Sequence, residues 1–459
     1  MAEDWEKLAG ETGESVQTGR FKRALTLGSM GAKVTASTVA GKLGGYMRTS
    51  QDKRDEYLQK VEEKKARLIV EALGKLKGAS MKVGQLLSSD PEFLSGELGE
   101  MLSSLQSSAP PMTYQTVKAQ IEAAFDLPME MVFQTFDPEP IGAASIGQVH
   151  RAKLPSGESV AVKIQYPGVV ESLESDLKSL ATVLRYGRAV MDKERLDAYL
   201  GEIRNVILQE ADYLKEAENL ARFHERIKTR EGLLVPRPYL EHSRKSVLVM
   251  EFMKGEKLDE ALLAIPKGPR RDELLTRWVS IFPWMFHECQ ELHTDPHPGN
   301  FLLDEDDNIV ILDFGCVKSF SEEFTDGFLD ILDACWEDDP ARAIDLYFSL
   351  GYYRGKREID PDLLRDYHGF FLAPFLKNEP FEFGSWTPGQ DARSFMVRHP
   401  SFLQLIPPAE ALPYFRVLSG IKGLLAKTDA EINVCEMARD TARRRGRLTT
   451  DLDAETTEK

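Results

Sequence analysis

Apolar positions along this 459-residue chain follow two different rhythms. Over residues 52–88, Leu58, Val61, Leu68, Ile69, Leu73 and Leu76 recur near helical spacing, with Lys and Glu between them. A stripe of that period buries one helix face and leaves the other in water, so one long helix or two are expected there. The pattern runs on through Met81-Lys82-Val83-Gly84-Gln85-Leu86-Leu87. Further helices are expected over Phe93–Gln106 and about Tyr114–Ala124, with Pro110-Pro111 as the break between them. The first hundred or so residues read as an all-helical unit.

The rhythm then changes to a period of two. Ile146 to Lys153 alternates as a strand should, Pro155-Ser156-Gly157-Glu158 is a turn, and Ser159 to Ile164 is a second strand. Another strand pair is expected to flank Pro236 and to end in Val247-Leu248-Val249-Met250-Glu251-Phe252. Helices at about Glu171–Val190 and Ala198–Ile227 lie between. Beyond Lys254-Gly255 the chain is predominantly helical, apart from a hairpin over 300–313. The expected fold class is therefore α+β with two lobes. Residues 1–50 form an N-terminal segment, 51–125 a helical extension, 126–254 a sheet-bearing lobe with a helical insertion, and 255–459 a helical lobe.

Composition narrows this picture. A hydrophobic content of 42% over this length supports two or three packed units. A net charge of −16 argues against nucleic acid as a partner. Cys289, Cys316, Cys335 and Cys435 are scattered and form no C-x-x-C pair, which fits reduced thiols in a cytosol-like compartment. The N-terminus is acidic and lacks an apolar signal core, and no run approaches the ~20 apolar residues of a spanning helix. The expected location is cytoplasmic, or the matrix side of the mitochondrion in a eukaryote. Leu25 to Tyr46 carries small-x-x-small spacing at Gly28, Ala32 and Ala36, interrupted by Lys33 and Lys42. It reads equally as an ordinary surface helix and as a weakly amphipathic one that rests on a membrane or packs on a partner. The basic run Arg443-Arg444-Arg445-Gly446-Arg447 is followed by the acidic tail Asp451 to Lys459. A solvated terminus is the simpler reading, and contact with lipid headgroups the sharper one.

The chemistry concentrates in His293 to Gly315. Asp295 and Asn300 stand at the spacing of a phosphoryl-transfer catalytic loop, and Asp313 opens an Asp-Phe-Gly after the apolar run Ile309 to Leu312. As arms of one hairpin-like unit, these segments would bring Asn300 and Asp313 onto one magnesium-bound phosphate tail. Either tripeptide alone is common; their order and spacing together are not. Upstream, Val160-Ala161-Val162-Lys163 puts a lysine at the end of an apolar strand, where kinases hold the α- and β-phosphates of ATP. A strand-end lysine is usually a solvated charge; the downstream acidic set reverses that reading. The helix over 201–227 offers Glu210, Asp212 and Glu216 as its carboxylate partner, and Glu216 is the expected one. The loop Ile141-Gly142-Ala143-Ala144-Ser145-Ile146-Gly147 stands where a G-x-G-x-x-G loop would close over phosphates, with alanine methyls in place of bare backbone. Ala143, Ala144 and Ser145, together with Lys163, Glu251 and Met253, are the expected nucleotide contacts.

The segment Leu73 to Gln85, ending Lys82-Val83-Gly84-Gln85, resembles the K-x-G-Q signature of the UbiB/AarF (ABC1-type) atypical kinase family. Pro140 to His150 is similar to its alanine-rich loop, Glu210-Ala211-Asp212 to its E-x-D motif, and His293 to Asn300 to its catalytic loop. The similarity covers roughly residues 20–320. It implies a kinase-like fold whose helical extension covers the active site, with ATP and Mg2+ as cofactors. It further implies that Lys163 is the nucleotide lysine and Glu216 its partner. Asp295 is the catalytic-loop aspartate, and Asn300 and Asp313 hold the metal. Lys82 and Gln85 belong to the extension, with Lys82 meeting Glu210 and Asp212 so that large substrates are excluded. The implied setting is ubiquinone or other isoprenoid-lipid metabolism, with a lipophilic quinone precursor or lipid, a peripheral membrane contact, and a homodimer or lipid-biosynthesis complex as partners. Two departures stand out: Thr294 sits where the family commonly has glycine, and no apolar segment closes this sequence. An ATPase or small-molecule kinase is the leading expectation. A nucleotide-gated binding protein is the alternative, and a Ser/Thr protein kinase is disfavoured by the alanine loop and the lack of an A-P-E segment after Gly315. Ala144→Gly should change nucleotide affinity or selectivity. ATP and ADP titration curves identical to those of the parent would show the alanine loop to be incidental.

Overall fold

A computed structural model describes residues 111–449 other than 145, 172, 174–176, 178–192, 354–357, 400 and 403–404. The expected helices over 25–46, 52–88 and 93–106, most of 171–190, and the residues Lys82, Gln85 and Ser145 lie outside the described residues.

The first described helix, α1 (Tyr114–Phe125), starts at Thr113, whose side chain accepts the Thr116 N–H, and stops where Asp126 turns left-handed at φ 55°. A short helix α2 (Met129–Val132) follows. The antiparallel sheet comprises β1 (Thr135–Ala144), β2 (Gly147–Lys153), β3 (Ser159–Gln165) and β5 (Val247–Glu251), in that spatial order. Val117 and Ile121 of α1 are fully buried in one cluster with Val160, Val162, Ile164, Val247 and Val249. The apolar stripe of α1 thus packs with the sheet and with Met129, Val132 and Phe133 in one cluster. The expected loop 141–147 is corrected. Ala143 pairs with Gln148 and Ala144 with Gly147, so 141–144 and Gly147 belong to strands β1 and β2. The register shifts around Pro140, and β1 lies at the sheet edge, where prolines without an amide proton are tolerated.

Between β3 and β5 run α3 (Lys193–Glu210), α4 (Tyr213–Ile227) and the short β4 (Leu233–Leu234). The expectation of one continuous helix through Ile227 fails at Ala211-Asp212. Asp212 is extended, and its carboxylate accepts the N–H groups of Leu214 and Lys215 as the N-cap of a new helix. The pair flanking Pro236 also differs from expectation, since β4 pairs in parallel with β9 and not with β5.

The helical lobe begins with β6 (Glu256–Lys257), α5 (Leu258–Ala264) and α6 (Pro269–Pro283). Past Pro283 the last helical turns widen to a π-helix over Trp284–Glu288. The chain then enters β7 (Glu291–His293), β8 (Phe301–Leu303), β9 (Ile309–Ile311) and β10 (Val317–Ser319). Strands β8 and β9 form the expected hairpin, and β7 pairs with β10. The remaining helices are α7 (Glu322–Trp336), α8 (Pro340–Ser349), α9 (Pro361–Phe371), α10 (Ala373–Leu376), α11 (Pro388–Arg398), α12 (Leu412–Lys427) and α13 (Val434–Arg444). The small strands β11 (Phe381–Glu382) and β12 (Glu431–Ile432) pair with each other. One large core, including Phe223, Trp278, Phe286, Phe301 and Phe314, joins α4 to this lobe.

Arg443 and Arg444 of the basic run at 443–447 are exposed, while Arg445 and Arg447 are partly covered and paired with carboxylates. Glu322, Asp326, Asp330 and Asp333 recur on one face of α7, and the run lies along it. Arg445 donates to both oxygens of Asp326 at 3.0 and 3.1 Å and also meets Glu322. Arg447 meets Asp330, Arg444 pairs with Glu288 at 3.1 Å, and the Thr449 N–H donates to Asp333 at 3.0 Å. Carboxylates four residues apart on α7 give Arg445 and Arg447 intramolecular partners that neither reading of the run included. All four cysteines are free thiols, and among the described residues no helix is long and apolar enough to cross a membrane. Replacing Asp326 by Asn should leave Arg445 with a neutral partner in a largely covered site and cost about 1–3 kcal/mol. Thermal denaturation checks this; a melting temperature equal to the parent's would show the brace to be ornamental.

Candidate functional site

Lys163 lies on β3 with its ammonium buried between two carboxylates. It donates to Glu216 Oε1 and Oε2 at 2.8 and 3.0 Å and to Asp313 Oδ2 at 2.9 Å. Each partner is placed by local chemistry. The Asp212 cap fixes where α4 starts, and Glu216 falls on the buried face of its first turn. Asp313 follows β9, and its Oδ1 accepts the Gly315 N–H at 2.9 Å. Phe314 is fully buried, stacks on Phe223 of α4 at 5.0 Å between ring centroids, and gives its carbonyl to Asn219 Nδ2 at 3.0 Å. The Asp-Phe-Gly turn is thereby tied to the same helix that carries Glu216.

The protonation states follow from crowding charge in a dry place. Burial pushes the Glu216 carboxyl up to about 7; the Asp313 and Glu210 carboxylates push it the same way, and Lys163 opposes them. For Asp313, burial also acts upward, but the Lys163 ammonium and His293 outweigh it and hold this carboxyl below its ordinary range. Burial acts to lower Lys163, and Asp313 and Glu216 overcome it to hold the ammonium well above its ordinary value. One cation thus serves two carboxylates, and Glu216 is the one whose charge is least secure.

The segment His293 to Asn300 sits beside this cluster. Asp295 N–H donates to His293 Nδ1 at 3.1 Å, and Asn300 Nδ2 donates to the Asp295 carbonyl at 3.1 Å. Leu312 N–H bonds the Asn300 carbonyl at 2.9 Å, while Phe301 pairs with Ile311. Asn300 and Asp313 are therefore neighbours at the open end of one hairpin. Their donors are an amide oxygen and a carboxylate, the hard oxygens that suit Mg2+. Thr294 fits without strain: it is buried, and its N–H and hydroxyl both donate to the Cys316 carbonyl, at 2.8 and 3.2 Å.

The remaining expected residues fall as follows. Glu210 ends α3 and is buried, while Asp212 is spent on capping α4. Ala143 and Ala144 form the last pairs of the β1–β2 hairpin. Glu251 ends β5, opposite Val160, with its carboxylate accepting the Arg237 N–H at 3.2 Å, and Met253 follows where the chain leaves the sheet.

Sequence reasoning missed Arg416. Its Nη2 donates to Asp295 Oδ1 at 2.8 Å from α12, and the guanidinium is 6% exposed. Gly420, one turn later on the same face, meets Pro296, and a Cβ there would overlap the proline ring. A signal existed. Pro413, Arg416, Val417, Ile421, Leu424 and Leu425 are the buried positions of α12, so an arginine stands in an apolar stripe. Only the partner's identity was illegible, because it lies 121 residues away.

Comparison with known proteins now decides the family. The ABC1 atypical kinase-like domain matches residues 104–347. The chain belongs to that family. It is 30% identical to "Atypical kinase coq-8, mitochondrial" of Caenorhabditis elegans over 89% of this chain and 54% of the relative. It is 28% identical to "Atypical kinase COQ8, mitochondrial" of Saccharomyces cerevisiae over 93% and 85%. The chain thus spans about half the length of the worm relative and most of the yeast one. The solved structure titled "The complex structure of Rv3197-erythromycin from Mycobacterium tuberculosis" superposes with a TM-score of 0.59 at 26% identity, covering 84% of this chain and 98% of the other. Membership in the ABC1 family makes this a kinase-like fold.

The raised Glu216 carboxyl has a measurable consequence. The fold favours its neutral form, so this contribution to stability is fully present below about pH 4.5 and is lost as pH rises through about 7. Between about pH 5 and pH 8, nucleotide-free parent protein should lose stability relative to Glu216→Gln, on the order of a few kcal/mol. Parallel stability–pH curves for the two proteins would contradict the assignment.

Proposed function

We propose that the protein is a magnesium-dependent ATPase or phosphotransferase acting on a small or lipid-like acceptor, in quinone or related isoprenoid-lipid metabolism. The observation that carries this reading is the convergence of Lys163, Glu216 and Asp313 in one contact, beside Asn300 and Asp295. A binding-only descendant could lose any of these without penalty; all five are present together.

In this reading Lys163 grips the α- and β-phosphates, and Glu216 holds its ammonium in place. Asn300 and Asp313 would hold Mg2+, which neutralises charge on the transferring phosphoryl group when bound. Asp295 orients the attacking water or hydroxyl. Its contact with Arg416 fixes where its carboxylate points, which suits a loose transition state that needs orientation more than early proton removal. The acceptor class rests on the family resemblance: an extension bearing Lys82 and Gln85 over the site would exclude protein substrates. A second reading, nucleotide-gated binding of a bulky lipophilic ligand, is favoured by the relative whose structure is titled as an erythromycin complex.

Asp313→Asn should reduce MgATP turnover to background with the fold intact by circular dichroism. Turnover by the parent should rise with anionic liposomes or a quinone-like phenol. An unchanged rate in the Asn variant would sink the enzymatic reading, and nucleotide-dependent ligand binding without turnover in the parent would establish the second.

A further inference from the structure

Tyr213 opens α4, directly after the Glu210-Ala211-Asp212 motif, and neither the sequence reading nor the proposed chemistry uses it. Its side chain is 0% exposed, and its hydroxyl has no hydrogen-bond partner. Buried phenol hydroxyls ordinarily find one, because leaving the group unpaired carries its full desolvation cost. A phenylalanine would fill the same volume at no such cost, so packing alone does not account for the oxygen.

The surroundings say what the oxygen faces. The Lys163 ammonium lies 5.0 Å from the centre of the Tyr213 ring. A Cβ built on Gly147, the first residue after the hairpin tip, would lie 3.0 Å from the hydroxyl oxygen. The hydroxyl therefore stands beneath the β1–β2 hairpin on the lysine's side of the sheet. A phosphate tail gripped by Lys163 and covered by that hairpin must pass through this region. The Glu210, Glu216 and Asp313 carboxylates are near enough to act on the phenol electrostatically, yet none accepts its proton in a hydrogen bond. Burial pushes the phenol far above its ordinary value, so it is a neutral O–H donor at every working pH. The start of α4 is anchored, with the Tyr213 N–H donating to the Lys245 carbonyl at 3.1 Å, so the ring is held in place.

We propose that Tyr213 is a further phosphate-binding residue of the nucleotide site, its hydroxyl donating to a phosphate oxygen of bound nucleotide. The assignment rests on the nucleotide-binding reading above. It adds an uncharged donor that reinforces Lys163 without competing for Glu216 or Asp313.

The isosteric variant Tyr213→Phe separates this from a packing role. Nucleotide-free Tyr213→Phe should melt at or above the parent's temperature, since an unpaired buried hydroxyl is gone. Calorimetric titration should show Kd for MgATP and MgADP raised about 5–10-fold, the effect of one lost hydrogen bond, with adenosine affinity unchanged. Equal MgATP affinity in parent and variant would overturn the proposal, as would a loss for adenosine as large as that for MgATP. A parent that binds adenosine no more weakly than MgATP would fell the phosphate assignment alone. A parent that binds no nucleotide at all would fell the underlying reading with it.

Discussion

A buried ammonium has to be neutralised, and most of this site can be understood as the answer to that requirement. Lys163 is carried inward on a strand whose neighbours are valine, alanine and isoleucine, and the sheet offers it no counter-charge. Glu216 reaches it from α4 and Asp313 from the turn after β9. Removing one partner of such a contact leaves an uncompensated charge, at a cost on the order of 3–5 kcal/mol. Two lobes, one helix and one hairpin are thus held in register by a single side chain. The aromatic stacking of Phe223 on Phe314 then makes the arrangement rigid without adding charge.

Much of this was legible before any coordinates, and the reasons differ by element. The period-two stretch at Ser159–Gln165 and the hairpin over 300–313 announced themselves because each is short, apolar and bounded by turn residues. Glu216 was legible as the partner of Lys163 because a buried strand lysine calls for a carboxylate and the following helix offers three, although the cap at Asp212 that places it was not. Where reading failed, it failed at competition between local and tertiary terms. Ala211-Asp212 looks helical by composition, but the aspartate side chain offers the backbone a better bond as a cap than as a helix interior. The alanine stretch at 141–144 has no alternation to mark a strand, yet it pairs because β2 presents a free edge to it. Arg416 and the acidic face of α7 were invisible as partners, since separations above a hundred residues leave no trace in local spacing.

The arginines near the end of the described chain show how charge runs should be read. Four basic residues in five suggest an anionic surface elsewhere; here the anionic surface is α7 of the same molecule. The pattern that decides it is Glu322, Asp326 and Asp330 at intervals of four, which stacks carboxylates on one helical face. Mean charge would not reveal this, because the two segments cancel.

The seating of Arg416 on Asp295, with Gly420 against Pro296, has a consequence for how the protein comes into being. Asp295 acquires its guanidinium only when a helix 121 residues downstream has been made and docked. During synthesis the sheet lobe and the hairpin will have left the ribosome well before that helix does, so a chain that already holds Lys163, Glu216 and Asp313 together would still lack the Arg416 contact to Asp295. Closing so long a loop is slow compared with forming the local elements. The Asp295–Arg416 pairing is therefore among the last contacts the chain gains, and among the first that a nick or frameshift ahead of α12 would remove while leaving the sheet lobe standing.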